Sequence, residues 1–273
     1  MKAISLYSVI PVRAEASEGA EQNTQILFGE TFDVLEEKDR WKRVKLHLDG
    51  QEGWVDAKMV TKMSPAEYKS YHEAYTGSSA IVAMPMAYAV SENNGQTIPL
   101  TAGTRLAKYQ VTKDEAQKIF FGRFELLGVG FRIDPGMVIA KSLDLNEQNL
   151  LQAVRFFLNI PYLWGGKNAM GMDCSGFTQV VMSLFGKELK RNASEQATQG
   201  RKISDLKHVK AGDLVFFDHE DGKISHVGVA IDSERVIHCS GRVKVEKLDF
   251  NGIFNAETGV YSHHLVAIRR VER

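Results

Sequence analysis

The chain has 273 residues, 44% of them hydrophobic and 25% charged, with 34 basic residues balanced by 34 acidic ones. That is the composition of a globular chain of about two domains and excludes a disordered or fibrous protein. With like-charge clusters no longer than "KRVK" (Lys42 to Lys45) and "KELKR" (Lys187 to Arg191), it offers no footprint for nucleic acid or a membrane surface.

The first segment, "MKAISLYSVIPVRAEASEGA", holds a lysine and a short apolar run. The run is broken by Ser5, Tyr7, Ser8 and Pro11 and alternates like a strand, so it reads as the start of a β-domain and not as a leader. A cytoplasmic location is the expectation, with export after removal of a signal as the alternative. Residues 1–62 continue as short strands, with loose alternation at Trp41, Val44, Leu46 and Leu48 and turns expected at Asp49-Gly50 and Glu52-Gly53. "EGWV" closing a small β-unit is similar to SH3-like barrels. A polar, helix-tolerant linker is expected over 63–77. Residues 78–141 read as a second β-block, with strands in "SAIVAMPMAYAV", "TRLAKYQV", "FELLGVGFRI" and "MVIAKS". Its turns fall at Asn93-Asn94-Gly95 and Asp134-Pro135-Gly136. Its size makes a second SH3-like barrel the simplest reading.

From 142 to 273 the pattern changes. "DLNEQNLLQAVRFFLNI" sets Leu150, Leu151, Val154, Phe157 and Leu158 at helical spacing, with Asp144 or Asn146 as cap and Pro161 as stop. "CSGFTQVVMSLFGKEL" predicts a second helix, burying Phe177, Val180, Val181, Leu184 and Phe185 and ending at Gly186. Strands follow in "GDLVFFD", "SHVGVAID", "RVIHCS" and "HLVAIRRV", with short turns at "HEDGK" and "DSE". The expected class is α+β: two N-terminal SH3-like barrels, then helices followed by an antiparallel sheet.

Two cysteines without a CxxC pair make no disulfide framework; a Cys174–Cys239 bond is formally possible, but the low count fits a reducing compartment. No stretch of 18 apolar residues exists, so no membrane-spanning helix is expected. Cys174 is the residue with chemistry around it. If the second helix begins there, Asp173 is its N-cap and the thiol lies in the first turn, where unpaired N–H groups and the helix dipole favour thiolate. The same placement leaves the N–H of Cys174 or Ser175 free for an oxyanion. Gly165, Gly166 and Gly171 let the approach bend and keep bulk from the sulfur. A nucleophilic thiol needs a base and the base an orienter. His226 and His238 lie on strands that a short connection makes antiparallel neighbours, and period-two alternation turns both to one side, with Cys239 on the other. Against this stand the blander readings of a buried core thiol and of strand histidines with structural roles. A metal site is disfavoured because adjacent His238 and Cys239 point to opposite faces; no cofactor is called for. His47, His72, His208, His219, His263 and His264 read as surface or loop residues.

The motifs "PYLWGG" (161–166), "DCSGF" (173–177), "GDLVFFD", "HVGVAID" and "VIHCSG", in this order, resemble the NlpC-type, papain-like cysteine endopeptidases of bacterial cell-wall metabolism. With "TQILFGE" and "EGWV" upstream, the likeness extends to the branch of γ-D-glutamyl-L-diamino acid endopeptidases with bacterial SH3-like domains. The resemblance implies a papain-like domain over 142–273. It implies Cys174 attacking the γ-D-glutamyl–diamino acid bond of a murein stem peptide, His226 as base and then acid, and His238 as orienter. Tyr162 would lie near the oxyanion, Trp164, Asp173 and Ser175 would shape the pocket for L-Ala-γ-D-Glu, and Arg191, Asn192, Asn23 and Gln51 would also bind substrate. It further implies a monomeric enzyme of peptidoglycan recycling or turnover, acting on released peptides with a free L-Ala amine. Two rivals remain at this stage: a papain-like amidase or acyl transferase with another substrate, and a non-catalytic wall-peptide binding protein.

The chain departs from that branch at the amine. "RNAS" (Arg191 to Ser194) puts Asn192 where the branch has Asp, Asn23 stands where it uses Glu, and Gln51 where it uses Tyr. Charge-assisted hydrogen bonds are about twice as strong as neutral ones. Unless Glu21, Glu52 or Glu195 compensates, dependence on the free amine is expected to weaken.

Overall fold

The computed structural model describes every residue except Ser79, Gln117, His219, Glu220, Asp221 and Arg273. His219 and most of the "HEDGK" turn therefore lie outside the described residues. The chain divides into two compact units, Met1–Ser142 and Leu143–Arg273. Among the described residues no helix is long and apolar enough to cross a membrane.

In the first unit, β1 (Lys2–Ile4), β2 (Val9–Arg13), β3 (Gln22–Leu27), β4 (Thr31–Lys38), β5 (Trp41–Leu46), β6 (Glu52–Asp56) and β7 (Thr61–Lys62) form one sheet in the order β3-β2-β6-β5-β4-β1-β7. Alternation buries Ile10, Val12, Val44, Leu46 and Val55 in its core. Asp49-Gly50 does turn the chain, with Gly50 at φ 80°. The turn expected at Glu52-Gly53 is instead the interior of β6. A Cβ on Gly53 would meet the Arg13 carbonyl oxygen at 2.7 Å, so this glycine serves the close approach of β2 and not a reversal.

The segment expected as a linker is helix α1 (Pro65–Thr76). Ser64 and Glu67 form a reciprocal capping box and Pro65 opens the first turn. Its buried Tyr71 donates to the Gly29 carbonyl (2.9 Å), and Tyr75 packs beside it. The two β-blocks share a core here: Phe28 of the first meets Phe124 and Phe131 of the second edge-on, with centroids 6.4 and 5.7 Å away.

The second block holds β8 (Ile81–Val82), β9 (Met86–Ser91), β10 (Thr97–Thr101), β11 (Gln110–Asp114), β12 (Ile119–Leu126), β13 (Val129–Ile133) and β14 (Val138–Ile139). Five of them pair as β10-β9-β13-β12-β11, and β14 pairs with β8. Strand β10 escaped the sequence reading because Pro99 interrupts it; as an edge strand it tolerates the missing N–H. "TRLAKYQV" is mostly irregular, its strand starting only at Gln110.

The second unit opens with α2 (Glu147–Val154), capped by Asn146, whose side chain accepts from Asn149 N–H at 2.9 Å. This helix ends a turn earlier than its apolar spacing suggests. Asn159 adopts φ 68° and its N–H binds the Val243 carbonyl (2.9 Å), drawing the chain off the helix axis before Pro161. A short hairpin, β15 (Lys167–Asn168) with β16 (Gly171–Met172), leads into α3 (Cys174–Leu184). Gly186 follows α3 at φ 71°, as a helix end needs. After α4 (Ala193–Gln196) come β17 (Arg201–Lys202), β18 (Leu214–Asp218), β19 (His226–Ala230), β20 (Arg235–Ser240), β21 (Arg242–Asp249), β22 (Gly252–Asn255) and β23 (Val260–Arg270). They pair antiparallel in the order β17-β23-β18-β19-β20-β21-β22, and β22 also pairs with β23, which closes six strands on themselves and removes their free edges. The unit is mostly sheet with few helices, and β21 and β22 had no place in the sequence reading. Helix α3, apolar and buried along nearly its whole length, packs across β19 and β20.

Candidate active site

Cys174 is the first residue of α3, and Asp173 is its N-cap, accepting from Gly176 N–H at 2.6 Å. The glycine-rich approach packs directly on this turn. A Cβ on Gly176 would strike the Gly166 carbonyl oxygen, and Gly165 takes φ 71°. Both cysteines are free thiols. The Cys174 sulfur accepts hydrogen bonds from the backbone N–H groups of Ser175, in its own helix, and Val227, in β19. The second of these sets the sulfur beside the strand that carries His226.

The helix-start placement leads one to expect a lowered thiol pKa. The structure reverses this: burial, then the Asp173 charge, pushes Cys174 up to about 11. Only 7% of the residue is exposed, and desolvating a thiolate outweighs the two N–H donors and the more distant Arg191 charge. Burial thus favours the neutral thiol over the thiolate at this position.

In the β19–β20 pairing Gly228 faces His238, so His226 and His238 lie diagonally on one face of the sheet. His226 Nε2 is 2.8 Å from His238 Nδ1. The connection runs through Ile231–Glu234, with Ile231 N–H on the Arg235 carbonyl at 2.8 Å. Gly228 serves the close approach of β20, since a Cβ there would lie 2.6 Å from Val236 Cγ2 and 3.0 Å from His238 Cβ. Cys239, on the opposite face as alternation requires, donates to the Met172 carbonyl (3.1 Å), and burial pushes its thiol up to about 12.

The comparisons with known proteins meet this geometry. The NlpC/P60 family matches residues 159–270, the stretch that contains Cys174, His226 and His238. The chain carries an NlpC/P60 domain. Residues 12–59 match the bacterial dipeptidyl-peptidase SH3 domain. The chain is 28% identical over 256 residues to a gamma-D-glutamyl-L-lysine dipeptidyl-peptidase of Bacillus subtilis, covering 90% of this chain and 80% of that one. A protein of the same name from Bacillus cereus is 26% identical over 237 residues, with 79% of this chain and 66% of that one covered. In fold, the chain is similar to a crystal structure of an NlpC/P60 family protein from Bacillus cereus, with a TM-score of 0.80 at 21% identity over 99% of both chains. The papain-like fold with an SH3 domain upstream is thus shared with known proteins.

Around Cys174, the NlpC/P60 domain ties up several residues expected to meet substrate. Arg191, 1% exposed, makes a two-pronged ion pair with Asp173 (3.0 and 2.5 Å) and donates to Ser175 Oγ at 2.9 Å. Asp173 also accepts from Gly165 N–H (2.9 Å) and from Ser175 Oγ–H (3.3 Å). These groups hold the start of α3 against its approach loop. Burial, the largest cause, raises the Tyr162 phenol well above its ordinary value, so it remains a hydrogen-bond donor. Trp164 is 59% exposed on the approach loop. Asn192 is exposed after Arg191, and its Nδ2 donates to Glu195 Oε2 at 2.9 Å. Asn23 on β3 and Gln51 between β5 and β6 belong to the N-terminal unit.

Two residues beside His226 and His238 were missed. His263, expected on the surface, is buried on β23 and stacks on His226, with centroids 4.2 Å apart and planes at 28°. The register of β23 shifts against β22 next to His263 and again against β18 three residues on, and each bulge reverses the facing of later residues, so alternation could not place it. Glu246 on β21 reaches His238 Nε2 at 2.9 Å. "RVKVEKLD" has the alternation of a strand, and that signal would have found it.

Proposed function

We propose that the chain is a cysteine endopeptidase that cleaves the γ-D-glutamyl–L-diamino acid bond of murein stem peptides through an acyl-enzyme, with Cys174, His226 and His238 as its catalytic set. The observation that supports it most is the 2.8 Å contact from His226 Nε2 to His238 Nδ1, made beside a sulfur at a helix start. The names of the two Bacillus relatives point to the same bond.

The steps follow from the atoms. His226 uses Nε2 toward His238, which leaves Nδ1 for the Cys174 proton. Sγ attacks the γ-carbonyl carbon, and the oxyanion is received by N–H groups at the start of α3 and by the Tyr162 hydroxyl. His226 Nδ1 returns the proton to the leaving amine, giving a thioester, which water hydrolyses with the same nitrogen as base. Because burial disfavours a lone thiolate, proton transfer to His226 accompanies attack.

The finer reading concerns the amine end. Asn192 brings no charge, and its amide is already bonded to Glu195, so a cationic L-Ala amine meets a weaker partner than an Asp would be. Dependence on a free L-Ala amine is therefore weakened in this reading. Released peptides as substrate, a monomeric enzyme, a cytoplasmic setting and a second SH3-like barrel over 78–141 belong to it as well. Mass-spectrometric digestion of L-Ala-γ-D-Glu-diamino acid peptides, free and N-acetylated, by wild type and Cys174→Ala tests it. Cleavage at the γ-D-Glu bond, lost in Cys174→Ala, is expected. No cleavage by the wild type refutes the substrate, and a large loss on acetylation refutes the amine reading.

A further inference from the structure

Two histidines in series leave the direction of their hydrogen bond undefined. The contact between His226 Nε2 and His238 Nδ1 can be N–H···N in either sense, since each neutral imidazole has one donor and one acceptor nitrogen. The two senses are not equivalent chemically. If His226 carries its proton on Nε2, its Nδ1 bears the lone pair that can accept from Cys174. If His238 donates instead, neutral His226 must carry its proton on Nδ1 and cannot act as base.

The structure assigns the decision to Glu246: we propose that this carboxylate is a positioning residue that fixes His238 as the Nε2–H tautomer and, through it, His226 as the tautomer that can deprotonate Cys174. This inference rests on the catalytic reading above. The geometry that carries it spans three strands. In β20–β21, His238 faces Lys244, so Glu246, two residues on, lies diagonal to His238 on the face His226 also occupies. Glu246 Oε2 is 2.9 Å from His238 Nε2, and His238 is fully buried. An ionised carboxylate has no proton to give, so His238 must donate from Nε2, and its Nδ1 is left to accept from His226 Nε2–H.

The surroundings keep Glu246 ionised. Lys244 Nζ lies 3.0 Å from the same oxygen, Oε2. Partial burial works to raise this carboxyl, but the hydrogen bonds from His238 and Lys244 outweigh it and hold it below its ordinary value. His238 is pulled the other way, down by its burial against the opposing pull of Glu246, so it stays neutral with a defined tautomer. Beyond His238 the facing groups are His226 and His263; the open groove at Glu246 is also lined by Glu234, Arg235, Arg242, Lys244, Lys247 and Glu257.

The test compares Glu246→Ala and Glu246→Gln with wild type on a γ-D-glutamyl peptide. Gln keeps the shape but can donate to His238 Nε2, which inverts both tautomers. Inversion of the equivalent tautomer in a hydrolase triad costs up to about 10⁴ in kcat. A kcat loss of at least about tenfold is expected in both variants, with KM within about threefold and the protein still folded at the assay temperature. The Glu246→Ala loss should vanish in a His238→Ala background, as a residue acting through another requires. Nitrogen NMR of labelled imidazoles should show His226 protonated on Nε2 in wild type and redistributed in Glu246→Gln. Near-normal kcat in both variants, or an equal loss with His238 already removed, overturns the inference. If the wild type is inactive, or Cys174→Ala is active, the catalytic reading fails instead, so the two failures are distinguishable.

Discussion

The His263 imidazole lies on the His226 imidazole, with ring centroids 4.2 Å apart and planes 28° from parallel, and both rings border Phe217. The stack limits how far the His226 ring can swing about its hydrogen bond to His238. Removing it should cost alignment and not chemistry. His263→Ala is expected to lower kcat by about 10- to 100-fold, the scale of a small misplacement of a reacting group, with KM little changed. His263→Phe keeps a flat ring in the same space and should restore most of the rate. Steady-state kinetics of the two variants decide it; equal losses would show that the stack is not what matters.

The Arg191–Asp173 pair has a different expected effect. Neither partner is exposed enough to leave its charge to water, so deleting the guanidinium strands a buried carboxylate at the cap of α3. Arg191→Ala should destabilise the NlpC/P60 domain by about 3–5 kcal/mol. Arg191→Lys keeps the charge but not the fork, and should recover only part of that. Denaturant unfolding followed by a probe in the C-terminal unit measures both. A loss of turnover without any loss of stability would return Arg191 to a direct role with substrate.

The thiol predictions follow from burial. With Cys174 pushed up to about 11 and Cys239 to about 12, neither forms appreciable thiolate alone near neutrality; for a pKa of 11 the fraction at pH 7 is about 10⁻⁴. In the proposed mechanism His226 changes this for Cys174 by taking its proton. Iodoacetamide should therefore alkylate Cys174 much faster than Cys239, and His226→Ala should abolish most of that difference while lowering turnover by at least ~100-fold. Peptide mapping of the alkylated protein reads the first, and an undiminished Cys174 rate in His226→Ala would remove His226 as the base.

Acid should weaken the fold through His238. Burial lowers its folded-state pKa despite the pull of Glu246. Above about pH 6.5 neither folded nor unfolded chains hold this proton, and the group gives no pH dependence. Below that value the unfolded chain binds a proton that the folded chain refuses, so stability falls with pH down to the folded pKa. Glu246, with a folded pKa below its ordinary value, adds a further loss as pH drops past about 4.3. Thermal midpoints of wild type and His238→Gln across the mildly acidic range should show a shallower decline in the variant. Parallel declines would assign the effect to other groups.

Read from the residues alone, Cys174 at a helix start capped by Asp173 and the pairing of His226 with His238 on one strand face were both legible. Each follows from local rules: a capping position, a period of two, and a short connection between strands. The same rules misplaced Gly53, whose reason is an approach by β2 from elsewhere in the chain, and they overran α2, which a distant carbonyl at Val243 ends early. His263 and Glu246 needed the folded molecule, the one because two bulges break the parity of β23 and the other because its strand only acquires meaning beside β20. The state of the sulfur was decided there too. Helix position depends on neighbours in sequence and argued for a lowered pKa, whereas desolvation depends on everything packed around the group and prevailed. The sequence by itself determined that Cys174 starts a capped helix and that His226 and His238 share a strand face, because those are local rules; the tertiary structure decided how deeply the sulfur is buried and what each imidazole touches, because those depend on distant chain.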